Sequence, residues 1–199
     1  MKKTKNKKIT NLLMIFGISL ICVSFAVLFV SQVFQSNASK NAQQIVLKMR
    51  SLMPEVSKGF NESYTDLSMP MLEINGENFI GTFEFPLYDI TLPISEKWQG
   101  QNINNFPCRY SGSVYNDSLI IGGSDNKGQF DFMKIITDGD VLYITDVTGS
   151  RYSYKVDKIE ITDDISTENL LSKKSDLVLF ARSTYALNYT IVRCKADFV

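Results

Sequence analysis

A run of 19 uncharged residues from Leu12 to Val30, LLMIFGISLICVSFAVLFV, constrains this chain more than any other stretch. As a helix rising about 1.5 Å per residue it would measure roughly 28 Å, the thickness of a bilayer's hydrocarbon core. Five lysines, Lys2, Lys3, Lys5, Lys7 and Lys8, precede it, and no acidic residue occurs before Glu55. That asymmetry predicts a cytoplasmic N-terminus and an extracellular remainder, with the chain anchored once in the cell membrane. The run exceeds the 7–15-residue core of cleaved secretory signals, so retention is expected over cleavage near Ser36 and Ala38. Ile21 stands where a lipoprotein signal would need a small residue before Cys22, which leaves that cysteine as a packed or lipid-facing thiol.

Beyond the anchor the charge balance reverses. Setting the five N-terminal lysines aside leaves 16 basic against 21 acidic residues, so no basic face is expected for phosphate, and a nucleic-acid partner is excluded. The expected organisation is a basic tail over 1–11, an anchor over 12–34, an amphipathic helix and linker over 35–71, and one β domain over 72–199. In SKNAQQIVLKMRSLM, Ile45, Met49, Leu52 and Met53 recur at helical spacing before Pro54, which predicts a short helix whose apolar stripe docks on the domain. Residues 55–76 lack a sustained period and read as a connector, with the folded body starting near Asn78.

From there short β-like runs dominate: FIGTFEF, YDITLPI, SLIIGG, DVLYITDV, RYSYKVDKIEI, DLVLFARS and YTIVRCKADF. They alternate or are rich in β-branched and aromatic residues, and Gly, Asp, Asn and Ser punctuate them. Helical pieces are expected at SEKWQG, GQFDFMKII and STENLL, with Ser95 and Ser166 as N-caps. Seven or eight strands with few helices predict a mainly β fold, a closed or nearly closed barrel.

Taken in order, IGTFEFPLYDITLPI, PCRYSGS, LIIGGSDNKGQFDFMKIITDGDVLYITDVTGSRYSYKVDKIE and LVLFARSTYALNYTIVRCKAD resemble the sortases, in particular the clostridial-type, class B-like members from Gram-positive bacteria. The resemblance spans about residues 72–197. It implies an eight-stranded barrel behind a transmembrane anchor, and an enzyme that joins proteins carrying a C-terminal sorting motif to the cell wall or to pilin subunits through a cysteine.

The resembling family carries a histidine after a strand-ending glycine, a cysteine at the end of its seventh strand and an arginine opening its eighth. Here Gly123 stands in the histidine's place, Ala181 and Arg182 replace a Thr-Cys pair, and Tyr189 replaces the arginine; a one-residue shift would give Thr190. Arg193 and Cys194 do not supply the missing groups, because the family has its own VRC downstream. The chain contains no histidine at all. A cysteine transpeptidase needs a thiolate and an acid for the departing amine, and imidazole is the side chain that supplies both near neutral pH. Replacing the arginine by tyrosine also removes fixed positive charge where an oxyanion develops. The expectation is a catalytically inactive sortase-like protein that binds a sorting-motif peptide, a pilin-like surface protein or an active sortase, with Arg182, Ser183 and Tyr189 lining the degenerate cleft.

The alternative is a relocated cysteine or serine site at Cys108, Cys194 or Ser183. Cys108 and Cys194, the two exported cysteines, are open to three readings: a disulfide, two inert buried thiols, or a redox pair. Thr184 adds a hydroxyl without a base beside it. Asp125, Asp131, Asp138, Asp140, Glu160, Asp163 and Asp164 lack the dense alternation of a calcium loop and read as turn acids; neither a metal nor a cofactor is expected. Arg182 either pairs with a neighbouring surface acid or holds an acidic group of a bound peptide.

Overall fold

The computed structural model describes residues 3–55, 57–58, 68–99, 102–126, 128–171, 175–183 and 188–197. The chain divides into two compact units, Met1–Asn37 and Ala38–Val199.

Helix α1 runs from Lys3 to Leu52 without interruption. The anchor expected over 12–34 and the amphipathic helix expected after it both fall within this helix, and no glycine or proline stands between Gly17 and Pro54 to stop its propagation. The helix is long and apolar enough to cross a membrane over Asn11–Leu52, with a mean hydropathy of 2.8 in its most apolar window. The Ser24 hydroxyl donates to the Leu20 carbonyl one turn back, so this polar group is satisfied inside the apolar stretch.

In the second unit, Ala42, Ile45, Val46 and Met49 of α1 are buried, and Ala42, Ile45 and Met49 pack with Ile74, Phe79 and Phe106. The docking stripe therefore includes Ile45 and Met49 as expected. Leu52 instead faces solvent at 55% exposure, because Ala42 and Val46 complete the i, i+3, i+4, i+7 face in its place.

Among the described residues ten strands follow α1: β1 Ser57–Lys58, β2 Leu72–Ile74, β3 Glu77–Phe85, β4 Ile90–Ser95, β5 Cys108–Ser111, β6 Leu119–Ser124, β7 Val141–Asp146, β8 Ser150–Thr162, β9 Leu177–Arg182 and β10 Tyr189–Ala196. Eight of them, β3 to β10, close into a barrel in the order β8-β10-β9-β6-β5-β4-β3-β7, with β7 returning to β8. β1 and β2 lie on β8 and β3. The body thus begins at Leu72, ahead of Asn78, because the Asn75-Gly76 turn, both at positive φ, pairs β2 back onto β3.

Alternation along the strands sorts side chains onto two faces. Leu119, Ile121, Leu177, Leu179, Ala181, Val192 and Cys194 enter the barrel core. Ile120, Val178, Phe180 and Ile191 form an outer cluster with Leu170, covered by Trp98, Tyr110, Ile165 and Tyr189.

The described residues of the unit also form two short helices, α2 at Asn102–Asn105 and α3 at Thr167–Leu171. The Ser166 hydroxyl accepts from the Asn169 amide and caps α3, as read from STENLL. Two helical expectations are corrected. Ser95 ends β4 as a buried residue and its amide donates to the Pro107 carbonyl, so it caps nothing and no helix forms over 96–99. GQFDFMKII keeps only a 3-10 turn at Asp131–Lys134, which delivers Phe130, Phe132, Met133 and Ile136 to the barrel core. PCRYSG, left unassigned as a strand, supplies β5.

Candidate functional site at the ends of β6, β9 and β10

Three adjacent strands bring the singled-out positions together. β6 pairs in parallel with β9, placing Gly123 beside Ala181 and Ser124 beside Arg182. β10 pairs antiparallel with β9, placing Tyr189 opposite Arg182 and Thr190 opposite Ala181. Residues paired across a ladder share a face, so Ser124, Arg182 and Tyr189 form one row on the outer side, about 4.8 Å from strand to strand. Gly122, Phe180 and Ile191 form the row before it on that face.

Gly123 does not share this face. A Cβ built on it would lie 3.0 Å from Cδ2 of Phe130 and 3.3 Å from Oε1 of Gln129, both packed beneath the end of β6. The buried Gln129 amide accepts from the Ser124 amide at 2.9 Å and donates to the Ile103 carbonyl at 3.2 Å, tying β6 to α2. The side chain beside Arg182 from β6 is therefore that of Ser124, which the sequence reading passed over. Its hydroxyl is buried and makes no hydrogen bond among the described residues. Strand parity, countable in LIIGGS once Leu119 and Ile121 are set inside, was the signal that could have found it.

Arg182 ends β9 exposed, and it makes no ion pair among the described residues. Asp125 donates its amide to the Arg182 carbonyl, and its carboxylate lies 3.5 Å from Lys134. Ser183 continues from β9, its amide bonded to the Asn188 carbonyl at 3.0 Å. The Tyr189 ring stands 6.4 Å from Phe180, which also meets Trp98 at 5.2 Å and Tyr110 at 5.5 Å. This aromatic floor was not read from the sequence, since Trp98 belonged to an expected helix. Gly122 makes the floor possible: a Cβ there would fall 2.4 Å from both Trp98 and Phe180. Thr184 lies outside the described residues.

The two cysteines of the second unit do not meet. Cys108 on β5 and Cys194 on β10 are separated by β6 and β9, both are free, and both are buried. That removes the disulfide reading. Burial pushes the Cys108 thiol up to about 12, with Glu77 adding to the effect and a Ser95 hydrogen bond opposing it. Burial likewise raises the Cys194 thiol, helped by Asp157. A thiol titrating near 12 is about one part in 10⁵ thiolate at pH 7.

Arg193, beside Cys194, is structural. It is 1% exposed, its Nε is 2.9 Å from Glu160, and its two terminal nitrogens donate to the carbonyls of Asn169 and Leu170 at the end of α3. Several turn acids have ordinary work of the same kind: Asp140 accepts from the Thr137 amide, and Asp164 from the Ser166 amide.

No protein-family model matches the sequence, and no curated protein matches it. Solved structures do match the fold. Sortase C1 from Streptococcus agalactiae superposes with a TM-score of 0.55 at 19% identity, over 64% of this chain and 72% of that one. Sortase A from Corynebacterium diphtheriae gives 0.54 at 19%, over 83% and 85%. Sortase C from Clostridium perfringens bearing the C-terminal cell wall sorting motif gives 0.53 at 17%, over 69% and 76%. The chain has a sortase-like fold.

Proposed function

We propose that this chain is a membrane-anchored, sortase-like pseudoenzyme that binds a peptide or protein partner in surface assembly and catalyses no transpeptidation. The observation that carries the reading is the row Ser124–Arg182–Tyr189: where the resemblance calls for a thiol the chain offers a guanidinium, and it has no histidine anywhere to ionise a thiol or protonate a leaving amine. The buried thiols of Cys108 and Cys194 weigh against a relocated cysteine site.

The lysine-rich start, followed by an apolar helix, supports a cytoplasmic N-terminus with the barrel outside the cell. A sortase C with this fold holds a C-terminal cell wall sorting motif, which supports a peptide of that kind, a pilin-like protein bearing one, or an active sortase as the partner.

The test uses the full chain in nanodiscs. Sorting-motif peptides and a co-expressed active sortase are titrated by biolayer interferometry, and the same mixtures are followed by mass spectrometry for cleaved peptide and covalent adducts. Saturable binding of either partner without turnover is expected. Cleavage by the unmodified chain, or an acyl adduct on Cys108, Cys194 or Ser183, would establish the relocated enzyme instead.

A further inference from the structure

The second unit is held together unevenly, and where it is held least the covalent chemistry of its own side chains has room to proceed. β8 and β10 share eight residue pairs, whereas β4 and β5 are joined by the single parallel pair Ser95–Cys108. β2 is an outer strand of three residues, Leu72–Ile74, that pairs with β3 alone. The turn joining them, Asn75-Gly76, contains the only asparagine of the sequence that is followed by a glycine.

That dipeptide carries the elements of an intramolecular reaction. Gly76 has no side chain to crowd its own amide nitrogen, and a Cβ built there would meet nothing within 4 Å, so the approach of that nitrogen to Cγ of Asn75 is open. The Gly76 amide donates no hydrogen bond among the described residues. Asp138-Gly139, another exposed turn with its glycine at positive φ, differs here: the Gly139 amide is committed to the Val156 carbonyl at 2.8 Å. At Asn75 a second group is in place. Nζ of Lys48, reaching across from α1, donates to Oδ1 of Asn75 at 3.1 Å. That oxygen is the one on which negative charge grows as a nitrogen adds to Cγ, and an ammonium beside it lowers the cost.

The geometry points to Asn75 as a self-modification site, where the Gly76 nitrogen displaces the side-chain amide and Lys48 stabilises the oxyanion. The Gly76 nitrogen bonds to Cγ and yields its proton to solvent hydroxide; the Cγ–Nδ2 bond breaks, and Nδ2 leaves as ammonia after taking a proton from water. The cyclic imide so formed is opened by water at either carbonyl, which gives aspartate, or isoaspartate with the main chain running through the side-chain carbon. Aspartate keeps the turn and sets a carboxylate against Lys48. Isoaspartate adds a carbon to a two-residue hairpin and disturbs the Ile74–Glu77 pair, next to the contact of Ile74 with Met49 of α1. The site shares no residue with the strand-end row and stands apart from the proposed binding function.

The test is incubation of the full chain in nanodiscs at mildly alkaline pH, with peptide mapping by mass spectrometry and separation of the aspartyl and isoaspartyl products. Asn75 should convert at least tenfold faster than any other asparagine, giving both products. Lys48→Met should slow the conversion at least threefold, and Lys48→Arg, which keeps a cation at the oxygen, should restore most of the rate. Asn75 converting no faster than the other asparagines would overturn the site. Conversion at the unmodified rate in Lys48→Met, or no recovery in Lys48→Arg, would overturn the role given to the lysine.

Discussion

Arg193 shows how much the reading of one residue depends on its surroundings. In the sequence it is an arginine near the end of a motif; in the fold it is a buried cation that holds Glu160 and the last carbonyls of α3. Breaking a buried pair leaves its partner uncompensated, so Arg193→Ala should cost about 3 kcal/mol and lower the melting temperature by roughly 10 °C. Calorimetry of the full chain would measure it. The cysteines make a prediction about alkali. Burial holds the thiols of Cys108 and Cys194, and the phenol of Tyr154, protonated in the native state. In the unfolded chain the thiols ionise near pH 8.5 and the phenol near pH 10. Above those values the unfolded state binds fewer protons than the native one, so stability falls as pH rises. The contribution of Cys108 is complete below about pH 8.5 and is lost progressively toward pH 12. Denaturation midpoints should therefore drop between pH 8 and pH 10.5, and Cys108→Ala should flatten part of that slope.

At the scale of elements, most strands were legible because alternation survives wherever one face meets a core: LVLFAR places Leu177, Leu179 and Ala181 inward and the residues between them outward. What was not legible had non-local causes. Ser95 reads as a cap until the Pro107 carbonyl takes its amide, and Trp98 reads as helical until Phe180 is beneath it. Motif spacing sets Gly123 in the histidine's place, whereas strand register sets Ser124 beside Arg182, because spacing counts residues and not faces. The two positions can be compared by paired substitutions. Ser124→His with Arg182→Cys puts an imidazole beside a thiol in register, and the pH dependence of alkylation should show that thiol acidified. Gly123→His with Arg182→Cys points the imidazole at Phe130 and Gln129, and should leave the thiol near 8.5. The helix face at the start of the second unit is tested by Met49→Ala, which removes a fully buried side chain from between Ile74, Phe79 and Phe106. A loss of about 2–4 kcal/mol is expected in chemical denaturation of the full chain.

For the molecule as a whole, an apolar helix and a closed or nearly closed barrel of seven or eight strands could be foreseen from hydropathy and alternation, and the resemblance carried by the order of the blocks implied eight. The extent of α1 and the sparse junction between β4 and β5 could not, since the first follows from the absence of a breaker over some thirty-five residues and the second from where two distant strands diverge. That junction has a mechanical meaning. β8 and β10 are held by eight residue pairs, β4 and β5 by one. A load drawn across the shell would part it at Ser95 and Cys108 long before the long ladder yielded, so in force spectroscopy the first rupture should be a small, early event along that line. A molecule built this way carries its own tear line.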